Sequence, residues 1–145
     1  MAIEATALAL SVATPLGMEL SLEVETVQLP VVTGEIGVLP GHVPLLGALK
    51  PGVLRYRAKG QNGVAAIGAG FVEASATRVR VIAEYFAKPE DIETSEAQRD
   101  LEVATQKLKD STVPLGEPAQ VEAQKELDWA LARLEVAGGP AATQH

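Results

Sequence analysis

"MELSLEVETVQLPV", residues 18–31, decides the fold class of the N-terminal half. Met18, Leu20, Leu22 and Val24 share one parity, with Glu19, Ser21 and Glu23 between them. From Val27 the apolar positions fall on odd numbers instead: Val27, Leu29 and Val31. A period of two is that of a half-buried β-strand, whose successive side chains point to opposite faces. The change of parity near Glu25 predicts one inserted residue, which is what a β-bulge supplies.

The same period continues on both sides. "ALALSVA" (7–13) puts Leu8, Leu10 and Val12 on one face, and "RVRVIAEY" (78–85) predicts Val79, Val81, Ala83 and Tyr85 inward. Gly and Pro punctuate this half every few residues, the pattern of many short strands in a sandwich or barrel. After "KPED" (88–91) the period becomes helical. Ala97, Leu101, Ala104 and Leu108 form one narrow seam; Ala123, Leu127, Ala130 (with Leu131), Leu134 and Ala137 form another. Ser95 with Gln98 suggests a capping box. "STVPLGEPA" separates the two helices, Pro118 suits the first helical position, and Gly138-Gly139 ends the second. The fold class expected is an all-β N-terminal domain, a β-sandwich of about ten short strands, followed by a C-terminal α-helical hairpin. The expected boundaries are a sandwich at 1–87, a joint at 88–91, the antiparallel hairpin at 92–137 and a frayed tail at 138–145. Because the seams are largely Ala, the hairpin is expected to be held by only a few kcal/mol.

Composition removes several function classes. There is no Cys, so disulfide and thiolate chemistry are excluded. Five aromatic side chains (Tyr56, Phe71, Tyr85, Phe86, Trp129) are too few for base-stacking platforms. A net charge of −7 argues against nucleic acid and anionic membrane surfaces. That charge is uneven: residues 1–87 carry 7 acidic and 6 basic groups, and residues 88–145 carry 12 and 6. No apolar run approaches the ~20 residues of a membrane helix, and the acidic N-terminus "MAIEATALALSV" resembles neither a secretory signal nor a transit peptide. No direct membrane insertion is expected.

"GEIGVLPGHVPLLGALKPG" (34–52) is the densest local signal, with five Gly and three Pro. A phosphate-binding P-loop requires Gly-Lys-Ser/Thr, but Gly41 precedes His42 and Lys50 precedes Pro51. "IGAGFVE" (67–73) lacks a third Gly, so Gly68 and Gly70 are read as sites of bending or close backbone approach. Two His in the whole chain, one in the tail, make no metal set, and no nucleophile motif is present. No catalytic residue, metal or cofactor is expected. Residues 34–52 then read either as a turn-rich passage between strands or as a preorganised contact loop. Ile36, Val38, Leu39, Leu45 and Leu46 would anchor that loop, with Glu35 and His42 as its polar tips.

"LPVVTGEIGVLPGHVPLLGALKPGVL" with "IGAGFVEASATRVRVIAE" resembles the epsilon subunit of bacterial and chloroplast F-type ATP synthases. The resemblance extends from residue 1 to about residue 137 and implies the same order of sandwich and hairpin. It implies a non-catalytic central-stalk (rotor) subunit that links the gamma subunit to the c-subunit ring and couples proton transport to ATP synthesis. It also implies a C-terminal hairpin that inhibits ATP hydrolysis when extended to the alpha and beta subunits. The implied location is the cytoplasmic face of the bacterial plasma membrane, peripheral through the complex, rather than a plastid thylakoid. On matching positions the c-ring contact falls on Gly34, Glu35 and Ile36, with His42 in or near the same surface.

Two departures from the family pattern stand out. The ATP motif of some members, [I/L]-D-x-x-R-A, corresponds to Ile92, Glu93, Glu96 and Ala97, where Glu93 replaces the Asp and the Glu96 carboxylate replaces the Arg guanidinium. ATP binding is therefore expected to be weak or absent. The second helix, about 120–137, carries Lys125 and Arg133 against Glu122, Glu126, Asp128 and Glu135, so it suits an acidic partner poorly. Lys125, Trp129 and Arg133 are the hairpin's regulatory candidates, Trp129 being either core or an anchor against gamma. The competing reading is a stand-alone β-sandwich interaction or scaffold module, which would be a stable monomer without ATP synthase partners.

Overall fold

Short antiparallel ribbons build the first half of the chain, and two helices close it. The computed structural model describes residues 7–138. The strands are β1 (Leu8–Thr14), β2 (Gly17–Val24), β3 (Thr26–Val31), β4 (Gly34–Val38), β5 (Leu45–Leu49), β6 (Gly52–Ala58), β7 (Gln61–Ile67), β8 (Gly70–Ala74), β9 (Arg78–Ala83) and β10 (Phe86–Ala87). A 3-10 turn at Pro89–Asp91 leads to α1 (Thr94–Asp110) and α2 (Pro118–Ala137). All strand pairs are antiparallel except β1 with β9.

The strands run β10-β7-β6-β3-β5-β8-β9-β1-β2, with β4 on β3. β3 and β5 share a single residue pair, Val31 with Leu49. The sheet folds over there into two layers, β4-β3-β6-β7-β10 and β5-β8-β9-β1-β2. The core between them takes the inward parity of each strand: Leu8, Leu10 and Val12; Val27, Leu29 and Val31; Val72 and Ala74; Val79, Val81 and Ala83. The parities expected for these strands hold, except at Tyr85, which is 55% exposed and lies beyond β9.

The parity change near Glu25 is not a bulge within one strand. β2 ends at Val24 and β3 begins at Thr26 on the other layer, with Glu25 as the corner; its N–H donates to Arg57 O. The bulge lies earlier: Val12 pairs Leu20 and Ala13 pairs Met18, so Glu19 is the extra residue of β2. That insertion turns Met18 outward, 65% exposed, against the inward expectation. Residues 34–52 are largely strand, β4 and β5 joined by residues 39–44. Val38 and Leu49 anchor them in the core with Ile36 and Leu45 against it, whereas Leu39 and Leu46 are exposed. Gly68 and Gly70 mark a close approach, as expected: a Cβ on Gly70 would overlap the Ile82 carbonyl.

The helices pack antiparallel through small residues, Ala97 and Ala104 against Ala123 and Ala130, all buried. Leu101, Leu108, Leu127 and Leu134 are half-buried, while Leu131 is exposed. The capping box is absent. α1 starts at Thr94 with Glu93 as N-cap, which places Ser95 inside the first turn, and no side chain caps the helix. Pro118 opens α2 as expected, and the Gly138 N–H closes it on the Leu134 carbonyl. Of the tail expected at 138–145, residues 139–145 fall outside the described residues. α2 also carries a second apolar stripe. Ala132, Val136 and the half-buried Trp129 pack on Val53, Val64 and Ala66 of β6 and β7. That layer is therefore covered on both faces, which explains the unalternating runs Val53-Leu54 and Val64-Ala65-Ala66-Ile67.

Candidate functional site

The site is a set of surfaces, and the first lies on the outer face of the layer away from the helices. Strand registers align Ala48 with Phe71, Phe71 with Ile82, Ile82 with Ala13, and Ala13 with Met18. Val32 extends the row, its N–H donating to the Ala48 carbonyl at 3.0 Å. Phe71, Ile82, Met18 and Val32 are 61, 58, 65 and 61% exposed. Contiguous apolar exposure of this kind marks an interaction surface. The next row, Leu46–Glu73–Arg80–Ser11–Ser21, is polar except for the exposed Leu46, and Arg80 and Glu73 pair across it at 3.6 Å. An apolar stripe bordered by polar groups has the composition of an interface core and its rim.

The second surface begins where that row ends. The turn Val32-Thr33 leads into β4, where Gly34 pairs Val31 and Glu35 pairs Pro30. Gly34 has φ +140°, a conformation that suits glycine. Glu35 is exposed, while Ile36 turns inward against the core. His42 is not beside them. It lies past the other end of β4, and four residue steps of strand separate Gly34 from Val38, about 13 Å. There the Gly41 N–H donates to the Ala76 carbonyl, and His42 donates its backbone N–H to Leu39 O. The His42 ring Nδ1–H donates to the Val43 carbonyl. A single end of the sandwich carries Gly34 and Glu35 but not His42; a surface reaching both must run along the exposed edge of β4.

The third feature is a cleft of ≈ 570 Å³ between the hairpin and the sandwich. It gathers Glu96, Lys125, Trp129 and Arg133, four residues singled out by sequence. Trp129 faces the sandwich, stacked on Tyr85 with centroids 5.3 Å apart and planes at 28°. The Arg133 guanidinium lies 5.3 Å from the Trp129 centroid and reaches Asp100 at 2.9 Å. Lys125 pairs Glu84 at 3.8 Å, and Arg55 of β6 pairs Glu135 of α2. Of the remaining motif positions, Glu93 is the N-cap, Ile92 packs under α2 and Ala97 is buried in the seam. Sequence reasoning missed Tyr85, Glu84 and Asp100 because their partners lie 33 or more positions away.

The family model for the ATP synthase delta/epsilon chain beta-sandwich domain matches residues 7–89. The ATP synthase epsilon chain of Nitratidesulfovibrio vulgaris (strain DP4) is 37% identical over 129 residues, covering 89% of this chain and 94% of that one. The epsilon chain of Synechococcus sp. (strain WH7803) is 40% identical over 116 residues, covering 78% and 83%. Among solved structures, a chain of the Euglena gracilis mitochondrial ATP synthase OSCP/F1/c-ring assembly aligns with TM-score 0.76 at 22% identity, covering 94% of this chain and 84% of that one. A chain of the Tetrahymena thermophila mitochondrial ATP synthase central stalk/c-ring aligns with TM-score 0.54 at 15% identity, covering 94% and 97%. At these identities the two structures speak to the fold. The sequence matches carry the assignment: the chain belongs to the delta/epsilon family of ATP synthase subunits, on its epsilon branch, a family of non-catalytic subunits of that complex.

Proposed function

We propose that this chain is a central-stalk subunit of an F-type ATP synthase that links the gamma subunit to the c-subunit ring and couples proton transport to ATP synthesis. The observation that carries the reading is the outer apolar row Val32–Ala48–Phe71–Ile82–Ala13–Met18, continuous through one turn with Glu35. The row is the contact for gamma, where burial of apolar area supplies the affinity. Gly34, Glu35 and Ile36 present a short, rigid edge to the c ring, supported by β3 beneath them. His42 serves the c ring only if that contact extends along β4. The hairpin is a regulatory element that limits ATP hydrolysis when it leaves the sandwich and reaches the alpha and beta subunits. No described helix is long and apolar enough to cross a membrane. The subunit then sits peripherally on the cytoplasmic side of the bacterial plasma membrane, held there by the complex.

Because the chain has no Cys, Glu35→Cys introduces a single thiol. In the assembled complex it should form a disulfide with a Cys placed in the polar loop of a c subunit. Failure across a scan of c-loop positions would remove Glu35 from the ring contact.

A further inference from the structure

We propose that the cleft between hairpin and sandwich excludes nucleotides, and that the hairpin is held down by a clasp made of Tyr85, Trp129, Arg133 and Asp100. Size does not exclude a ligand: ≈ 570 Å³ lies within the about 300–1,000 Å³ of ordinary ligand pockets. Charge does. Five carboxylates line the cleft, those of Glu84, Glu96, Asp100, Glu122 and Glu126, against the two cations Lys125 and Arg133. Both cations are engaged, Lys125 with Glu84 and Arg133 with Asp100, and Glu126 pairs Lys107 at 3.0 Å. Among the described residues Glu96 and Glu122 have no ion-pair partner, so a triphosphate would meet two uncompensated carboxylates.

The other means of holding a nucleotide are also taken. A helix N-terminus attracts anions, but α1 begins with Glu93 as N-cap and Glu96 in its first turn, after Glu90 and Asp91. The one indole that could stack on a base is already covered by Tyr85 and approached by Arg133. The Arg133 side chain is only 12% exposed, and its Nε–H donates to the Trp129 carbonyl at 3.4 Å. The guanidinium thus joins α1, α2 and the Tyr85–Trp129 stack in one unit. Docking of this hairpin follows from the chain's own contacts and is independent of ATP. The inference refines the regulatory reading above and is tested on the isolated full chain, so its failure leaves the central-stalk assignment standing.

The experiment titrates MgATP into the full chain by calorimetry, with Trp129 emission and backbone amide exchange followed in parallel. The wild-type chain should give no binding heat, emission change or exchange change at sub-millimolar MgATP. Glu96→Arg with Glu122→Arg, both at exposed positions, should gain sub-millimolar binding. Glu96→Gln with Glu122→Gln, which removes charge without adding any, should bind more weakly than the Arg pair and serves if that pair does not fold. Asp100→Ala should shift Trp129 emission and raise exchange over residues 118–137 by about two- to fivefold, the range for a partly exposed ion pair. Wild-type binding at sub-millimolar MgATP overturns the proposal. So does nucleotide blindness in both charge variants, because charge would then not be the barrier. Unchanged exchange in Asp100→Ala overturns the clasp.

Discussion

Val136→Ala tests how the hairpin is held. Val136 is fully buried on the stripe of α2 that faces the sandwich, with Val53 (5% exposed), Ala66 (0%) and Ala132 (3%) around it. The substitution removes two methyl groups. At about 0.8 kcal/mol per buried carbon, plus a share for the cavity left behind, docking weakens by about 1.5 to 2.5 kcal/mol. With tenfold per 1.4 kcal/mol, the undocked population rises roughly 10- to 70-fold. The assay is amide hydrogen exchange over residues 118–137, with Trp129 emission as the optical counterpart. Leu131→Ala, at a position 47% exposed, is the control and should change exchange much less. Amides of Leu54 and Ile67, in the sandwich core, should keep their protection. Two results would refute the reasoning. Unchanged exchange in α2 would mean that this stripe does not hold the hairpin. An equal rise at Leu54 and Ile67 would mean that hairpin and sandwich open as one unit, leaving no separate docking step for a partner to reverse.

Three other perturbations probe the fold and its surfaces. Gly70→Ala drives a Cβ into the Ile82 carbonyl and should lower stability by about 1–3 kcal/mol, roughly 3 to 9 °C in Tm; an unchanged Tm would remove the close approach. Phe71→Asp, in the outer apolar row, should leave Tm nearly unchanged while abolishing co-purification with the gamma subunit; retained association would take the row out of that interface. Burial raises the Tyr56 phenol above its ordinary range, and the Glu90 carboxylate adds to the rise. The folded chain then holds this proton longer than the unfolded one. The associated stability is intact below the unfolded value of about 10 and is lost as pH rises through the folded value. Tyr56→Phe should flatten that loss in urea melts, whereas an identical slope would point to another group.

The parts of this structure that sequence reveals are those governed by local period. Leu8, Leu10 and Val12 sit as their alternation requires because β1 has one core face and one open face. The alternation misleads where a strand has two covered faces or an extra residue. Val53-Leu54 and Val64-Ala65-Ala66-Ile67 are apolar on both parities because α2 lies over one face and the core under the other. Met18 shares the parity of Leu20 in sequence, yet one inserted residue at Glu19 turns it out. Phe71 and Ile82 fall on the polar parity of β8 and β9, a signal the sequence reading did not use. Their alignment into one row needed the registers. Glu35 and His42 are seven positions apart in a single motif, but an intervening straight strand carries them to opposite ends. The cleft depends on pairs such as Trp129 with Tyr85, whose separation no local pattern encodes.

The central claim is that this chain acts as the coupling subunit of the rotor. It is tested most directly by adding the full chain to a bacterial ATP synthase stripped of its epsilon subunit and measuring proton-driven ATP synthesis in vesicles. The account predicts that the chain joins the complex through gamma and restores synthesis, and that Phe71→Asp does neither. A chain that stays monomeric and leaves synthesis at the stripped level would contradict the account and favour a stand-alone interaction module.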